Sequence, residues 1–236
     1  MNRLMTSVAE NGFAVIPSVL SRFQVGALID AVEVANGPTA GKGGIRNLLE
    51  RVPSVRDFAD VDPIRALVEH LLGRNAFASR AILFDKTPTT NWKVPWHQDL
   101  TISVEARLDV AGFGPWTVKE GVLHVQPPIA ILESMLAVRI HLDDCSEDNG
   151  PIRVIPGSHR RGRLTMEQIQ TAQSESPSVP CPVGSGGVLL MRPLLLHASS
   201  AAVSPGHRRV IHIEFGSTDL PGGLRYAGVC PRRNSQ

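Results

Sequence analysis

The chain has 236 residues, 42% hydrophobic and 19% charged, with a formal net charge of +2. That suits one large globular domain, single from 1 to 236, whose core needs no disulfide staples; the near-neutral charge leaves no footprint for nucleic acid or an anionic membrane. Cys145, Cys181 and Cys230 are far apart and form no CxxC pair, which fits a reducing compartment and argues against a cysteine-built zinc site.

The N-terminal MNRLMTSVAENG has neither a long apolar run nor a small-residue cleavage site, and no stretch nears the roughly 18 apolar residues of a membrane helix. The expectation is a soluble cytoplasmic enzyme, monomeric or homodimeric, with a small-molecule substrate. Residues 12–19 (GFAVIPSV) read as a short strand running into a turn. Ser21 is an N-cap candidate for a helix in which Phe23, Val25, Leu28, Ile29 and Val32 recur at helical spacing. The glycine-rich stretch PTAGKGGIRNLLERVP reads as a loop, and a second helix is expected over Val61–Leu72, with Asp62 or Pro63 at its start and Gly73 near its end.

After Arg80 short apolar runs alternate with turn signals: AILFDK, VPWHQDLTISV, VLHVQPP, LAVRIHLDD, IRVIPGS, GGVLLM and RRVIHIEF. Many short strands at this spacing predict a β-sandwich or barrel. The expected form is mainly β, with a helical N-terminal buttress (about 1–75) and a β-core (about 80–216). Residues 173–187 (QSESPSVPCPVGSGG) read as a long connection.

Trp96-His97-Gln98-Asp99 carries the first chemical signal. On a strand, residues two apart point to the same face, so His97 and Asp99 can reach one metal ion. A second histidine would complete two imidazoles and one carboxylate, the facial set of non-haem Fe(II) oxygenases. Alone, HxD is weak, because a strand with a buried His and a turn-forming Asp looks the same. Among the remaining histidines, His197 follows the apolar run MRPLLL and precedes ASSAA, a strand end where a ligand can face a pocket.

WHQD, then DNGPIRVIPGSH (148–159), then HASSAAVSPGHRR (197–209) resemble the phytanoyl-CoA dioxygenase family, from about Gly12 to Phe215. The resemblance implies a double-stranded β-helix (jelly-roll, cupin-like) core and a dioxygenase using Fe(II), 2-oxoglutarate and O₂. It implies metal ligation by His97, Asp99 and His197. Arg208, eleven residues after His197, matches the family arginine that pairs with the far carboxylate of 2-oxoglutarate, and Ser199 matches a position that hydrogen-bonds the same group. Gly186-Gly187 stands where the family often has Gly-Asp. Related halogenases replace the metal carboxylate with a small residue, so Asp99 favours hydroxylation. Desaturation, epoxidation or cyclisation on the same site, or a cupin-type metal protein without oxygenase activity, are the alternatives.

Periodicity adds an independent expectation. Arg208, Val210, His212 and Glu214 share one face of their strand and look into the barrel, while Arg209, Ile211, Ile213 and Phe215 pack against the helices. Likewise Val138, Ile140 and Leu142 pack outward, so Arg139 and His141 line the pocket. Thr101 is expected on the His97/Asp99 face, Lys86 near a cosubstrate or substrate carboxylate, Asn91 and Trp92 at the approach to the metal, and Trp116 in a loop over the mouth. Arg139 and Lys86 suggest an anionic or polar substrate. DNGPIRVIPGSH reads as a pair of tight turns, with His159 a turn residue.

Overall fold

Each apolar run has one face to bury, and in this computed structural model, which describes residues 2–36, 44–203 and 206–228, the strand faces meet helices on one side and each other across a cavity. The N-terminal third holds helices α1 (Asn2–Glu10), α2 (Arg22–Asn36), α3 (Leu48–Arg51), α4 (Pro53–Ala59) and α5 (Ile64–Leu72), with strands β1 (Phe13–Ile16) and β2 (Gly44–Ile45) among them. Strands β3 (Phe77–Lys86), β4 (Val94–His97), β5 (Ile102–Val104), β6 (Trp116–Lys119) and β7 (Val122–Val125) follow. Then come α6 (Ile129–Glu133), β8 (Met135–His141), β9 (Ile152–Val154), α7 (Met166–Glu175), β10 (Val179–Cys181), β11 (Val188–Met191), β12 (His197–Ser199) and β13 (Arg208–Gly216).

The large sheet has the order β1-β11-β8-β13-β3-β2, and the small one β10-β9-β12-β4. The chain crosses between them at β3–β4, β8–β9, β10–β11, β11–β12 and β12–β13, and both contribute side chains to one cavity. This is the jelly-roll core expected from the motifs. A third sheet, β5-β7-β6, flanks it.

The alternation in β13 decides which way the large sheet faces. Ile211, Ile213 and Phe215 join Val138 and Ile140 of β8 in a core against Val25, Leu28 and Val32 of α2 and Val68 of α5. Burial of each such side chain contributes about 1.5–3 kcal/mol. Arg209 is on this outer face too, but at the strand's start, where it reaches Asp143 and Glu33. The odd and even faces are as the sequence predicted.

Ser21 does cap α2: its Oγ accepts from Gln24 N at 3.3 Å, while Gln24 Oε1 accepts from Ser21 N at 2.9 Å, a reciprocal capping box. Phe23, expected in the apolar stripe, is 86% exposed, because the stripe that meets the sheet is Val25, Leu28 and Val32. Where a loop was expected, 44–45 form β2 and 48–51 form α3, with Leu48 and Leu49 buried. Pro38–Gly43 lie outside the described residues. Helix α5 begins at Ile64 and ends before Gly73, whose φ of 84° needs glycine. The connection expected over 173–187 contains the end of α7 and the strand β10, which pairs with β9.

Candidate active site

Strands β4 and β12 pair with His97 opposite His197, and the ring centroids stand 4.2 Å apart. Strand β4 ends at His97, so Asp99 is placed by a different device: its N–H donates to Pro193 O at 2.9 Å. Asp99 Oδ1 is then 3.8 Å from His97 Nε2, and Oδ2 is 3.7 Å from His197 Nε2. One ligand atom from each of the three residues lies within 4.8 Å of the others.

The tautomers follow from the backbone. His97 Nδ1–H donates to Pro95 O and His197 Nδ1–H to Leu195 O, both at 2.9 Å. Each Nε2 therefore offers a lone pair toward the carboxylate, the usual arrangement of metal-ligating histidines. Two imidazoles and one carboxylate fit Fe(II) with coordination positions to spare. Burial pushes the His197 imidazole down to about 4, against the opposing pull of Asp99. Burial alone raises the Asp99 carboxyl, but His197, His212, His97 and Arg80 together hold it below the ordinary carboxylate range.

The triad opens on a cavity of about 180 Å³. Arg208 and Ser199 line it, as do Arg139 and Trp92. Arg208 is buried; its NH1 donates to the carbonyls of Asn149 (3.3 Å) and Gly150, while its Nε has no partner. The DNG turn, read as purely structural, thus anchors the guanidinium. Gly150 is required there: its φ is 59°, and a Cβ would stand 2.4 Å from Ser200 O.

Lys86 is buried and donates to Ser200 O and to Ser199 Oγ at 3.4 Å, so it braces the β12 end rather than lining the cavity. Burial and the neighbouring Arg208 lower its ammonium to about 8. His141 is buried beyond the lining with neither ring nitrogen partnered, and burial lowers it to about 3. Three further expectations need correction besides those for Lys86 and His141. Thr101 does not line the cavity: β4 has ended, the two-residue alternation with it, and Thr101 Oγ1 accepts from Lys119 at 3.3 Å. Asn91 bonds both Ala202 O (2.9 Å) and Ala202 N (2.7 Å), tying two loops together instead of facing the metal. Trp116 lies on β6, not in a loop, packed in the third sheet's core with Arg107 over its ring at 5.6 Å.

Arg80, Ile82 and Phe84, not singled out in the sequence, also line the cavity from β3. Their alternation in RAILFDK was the available signal, since Ala81 and Leu83 belong to the outer core. Arg80 pairs with Glu214 and donates to His124 Nδ1 at 3.2 Å. Glu214 Oε1 is 3.4 Å from His212 Nε2, and His212 Nδ1 accepts from Arg139 at 3.0 Å. A buried polar chain thus runs across the cavity floor.

The sequence model described as Phytanoyl-CoA dioxygenase (PhyH) matches residues 8–210. The chain belongs to the phytanoyl-CoA dioxygenase family. The peroxisomal phytanoyl-CoA dioxygenase of Rattus norvegicus is 27% identical over 169 residues, 64% of this chain and 43% of the relative. Phytanoyl-CoA dioxygenase domain-containing protein 1 of Danio rerio is 30% identical over 103 residues, 37% of this chain and 34% of the relative. The matches thus span less than half the length of these relatives. Among solved structures, the fold resembles the non-heme alpha ketoglutarate dependent carbocyclase SnoK from nogalamycin biosynthesis (TM-score 0.74, 19% identity, 96% of this chain and 86% of that one). It also resembles EctD from S. alaskensis with 2-oxoglutarate and 5-hydroxyectoine (0.70, 17%, 92% and 76%). A third is the epimerase SnoN in complex with Fe3+, alpha ketoglutarate and nogalamycin RO (0.68, 17%, 94% and 90%). No helix of the described residues is long and apolar enough to cross a membrane.

Proposed function

We propose that this family member is a mononuclear non-haem Fe(II) oxygenase that consumes 2-oxoglutarate and O₂, hydroxylates a C–H bond of a small molecule, and releases succinate and CO₂. One observation carries the reading: the His97–Asp99–His197 cluster shares its cavity with Arg208, a buried arginine that makes no carboxylate pair among the described residues. A generic metal site has no need of such a clamp. Family membership and the solved neighbours that hold iron and 2-oxoglutarate support it.

His97, Asp99 and His197 hold the iron, which when bound supplies the activation of O₂ and of the C–H bond. The carbonyls of Pro95 and Leu195 keep both imidazoles turned. Arg208 and Ser199 receive the far carboxylate of 2-oxoglutarate, and the Asn149 and Gly150 carbonyls fix the guanidinium for it. Ile82, Phe84, Val94 and Ile152 give the cavity apolar walls that keep water away from the reacting groups.

Aerobic incubation with Fe(II) and 2-oxoglutarate tests this. Slow succinate release is expected from the unsubstituted protein, and none from His197→Ala. No succinate with any of a broad substrate panel overturns the reading. Product mass separates hydroxylation, which adds one oxygen, from desaturation or ring closure, which removes two hydrogens.

A further inference from the structure

The cavity holds more positive charge than iron and 2-oxoglutarate account for. Three arginines line it: Arg80, Arg139 and Arg208. Arg80 is paired with Glu214. Arg139 is 6% exposed and makes no ion pair among the described residues. Its NH1 donates to His212 Nδ1 at 3.0 Å, and His212 presents Nε2 to Glu214 at 3.4 Å. An imidazole that accepts at Nδ1 and donates at Nε2 is neutral, so it leaves the Arg139 charge uncompensated. The Phe84 ring lies 5.4 Å beneath the guanidinium, and Arg139 Nε is buried without a partner.

The charge count then runs out. Under the proposed function, iron(II) is offset by Asp99 and by the metal-binding carboxylate of 2-oxoglutarate. The far carboxylate offsets Arg208. Lys86 has hydrogen-bond acceptors and stands outside the lining. Arg139 is then left lining the cavity as a buried cation with no anionic partner among the described residues, a costly state unless a ligand completes it.

We infer that the primary substrate carries a carboxylate and that the Arg139 guanidinium binds it. This rests on the proposed function, because it assigns Arg208 and the iron to 2-oxoglutarate. A planar carboxylate matches the arginine fork. Phe84 beneath it, and Ile82 and Trp92 lining the same cavity, suit an apolar body on the same molecule.

The test uses anaerobic protein saturated with Fe(II) and 2-oxoglutarate, titrated calorimetrically with hexanoate and with hexanamide. Hexanoate is expected to bind at least about tenfold more tightly, the effect of one charge-assisted contact. Its affinity should not fall as 2-oxoglutarate is raised. Arg139→Gln should erase the preference, Arg139→Lys should keep part of it, and both should bind 2-oxoglutarate within about threefold of the parent. Equal binding of the two probes to the unsubstituted protein overturns the inference while the proposed function stands. Loss of 2-oxoglutarate affinity in Arg139→Gln as large as in Arg208→Gln also overturns it, by moving Arg139 to the cosubstrate. Failure of the unsubstituted protein to bind 2-oxoglutarate at all sinks the function, and the inference with it.

Discussion

Arg208 and Arg209 are chain neighbours with opposite surroundings. Arg208 faces the cavity, whereas Arg209 bonds Asp143 through Nε and NH2 at 2.9 and 2.8 Å and reaches Glu33 at the surface. Arg208→Ala is expected to weaken 2-oxoglutarate binding by about 10–100-fold, the worth of a charge-assisted pair. Arg209→Ala should leave that binding intact and cost about 1 kcal/mol of stability; calorimetry and urea unfolding separate the two. The histidines make a second expectation. Burial is the main cause holding His197 and His124 down to about 4 and His141 to about 3. An imidazole whose pKa is lowered on folding stabilises the protein above its unfolded pKa of about 6.5, and that stability is lost as pH falls toward the folded value. Metal-free protein should therefore lose stability steadily between pH 6.5 and 4; a flat urea midpoint across that window contradicts the burial described. The His97–Asp99–His197 cluster was legible from motif spacing and order, and Arg208 from its spacing and from the alternation of β13, whereas Asp99 lies past the end of β4 and is set by its N–H bond to Pro193 O. Thr101, Asn91 and Trp116 were not, since each depends on where a strand stops, and short apolar runs do not mark their own ends.

Strand β13 was read correctly on both faces because its nine residues give alternation room to declare itself. Its outer residue Phe215 is 1% exposed, so Phe215→Ala should cost about 3–5 kcal/mol with little change at the cavity face. The opposite profile is expected of Gly150→Ala. A Cβ there meets Ser200 O at 2.4 Å and disturbs the carbonyls that hold Arg208. The variant should unfold earlier by more than about 1 kcal/mol and also bind 2-oxoglutarate less tightly. Loss of stability with unchanged affinity would separate the turn from the clamp. Helices were harder to see. Thr165 and Gln168 form a capping box that announces α7, with bonds of 3.2 and 2.8 Å, and its Thr-x-x-Gln spacing was readable. Helix α3 has four residues, too few for a period, and only Leu48 and Leu49 hint that the stretch is buried.

The two sheets hold the site between them. The small sheet brings His97 and His197, and the large sheet brings Arg139 and Arg208. A ligand spanning both should tie the sheets together, so iron and 2-oxoglutarate are expected to stabilise the fold jointly, by about 2.7 kcal/mol for a ligand at a hundred times its Kd. A β-sandwich or barrel was legible from strand count, and its jelly-roll form from the family resemblance of the three ordered motifs. The order of strands within each sheet was not, because pairing partners such as β1 and β11 lie far apart in sequence. An anaerobic calorimetric titration of the protein with 2-oxoglutarate, with and without Fe(II), tests the four-residue site. The site of His97, Asp99, His197 and Arg208 predicts one 2-oxoglutarate per chain, bound at least about tenfold more tightly when iron is present, with that gain lost in His197→Ala. Binding that is indifferent to iron, or that survives unchanged in both His197→Ala and Arg208→Ala, would contradict it.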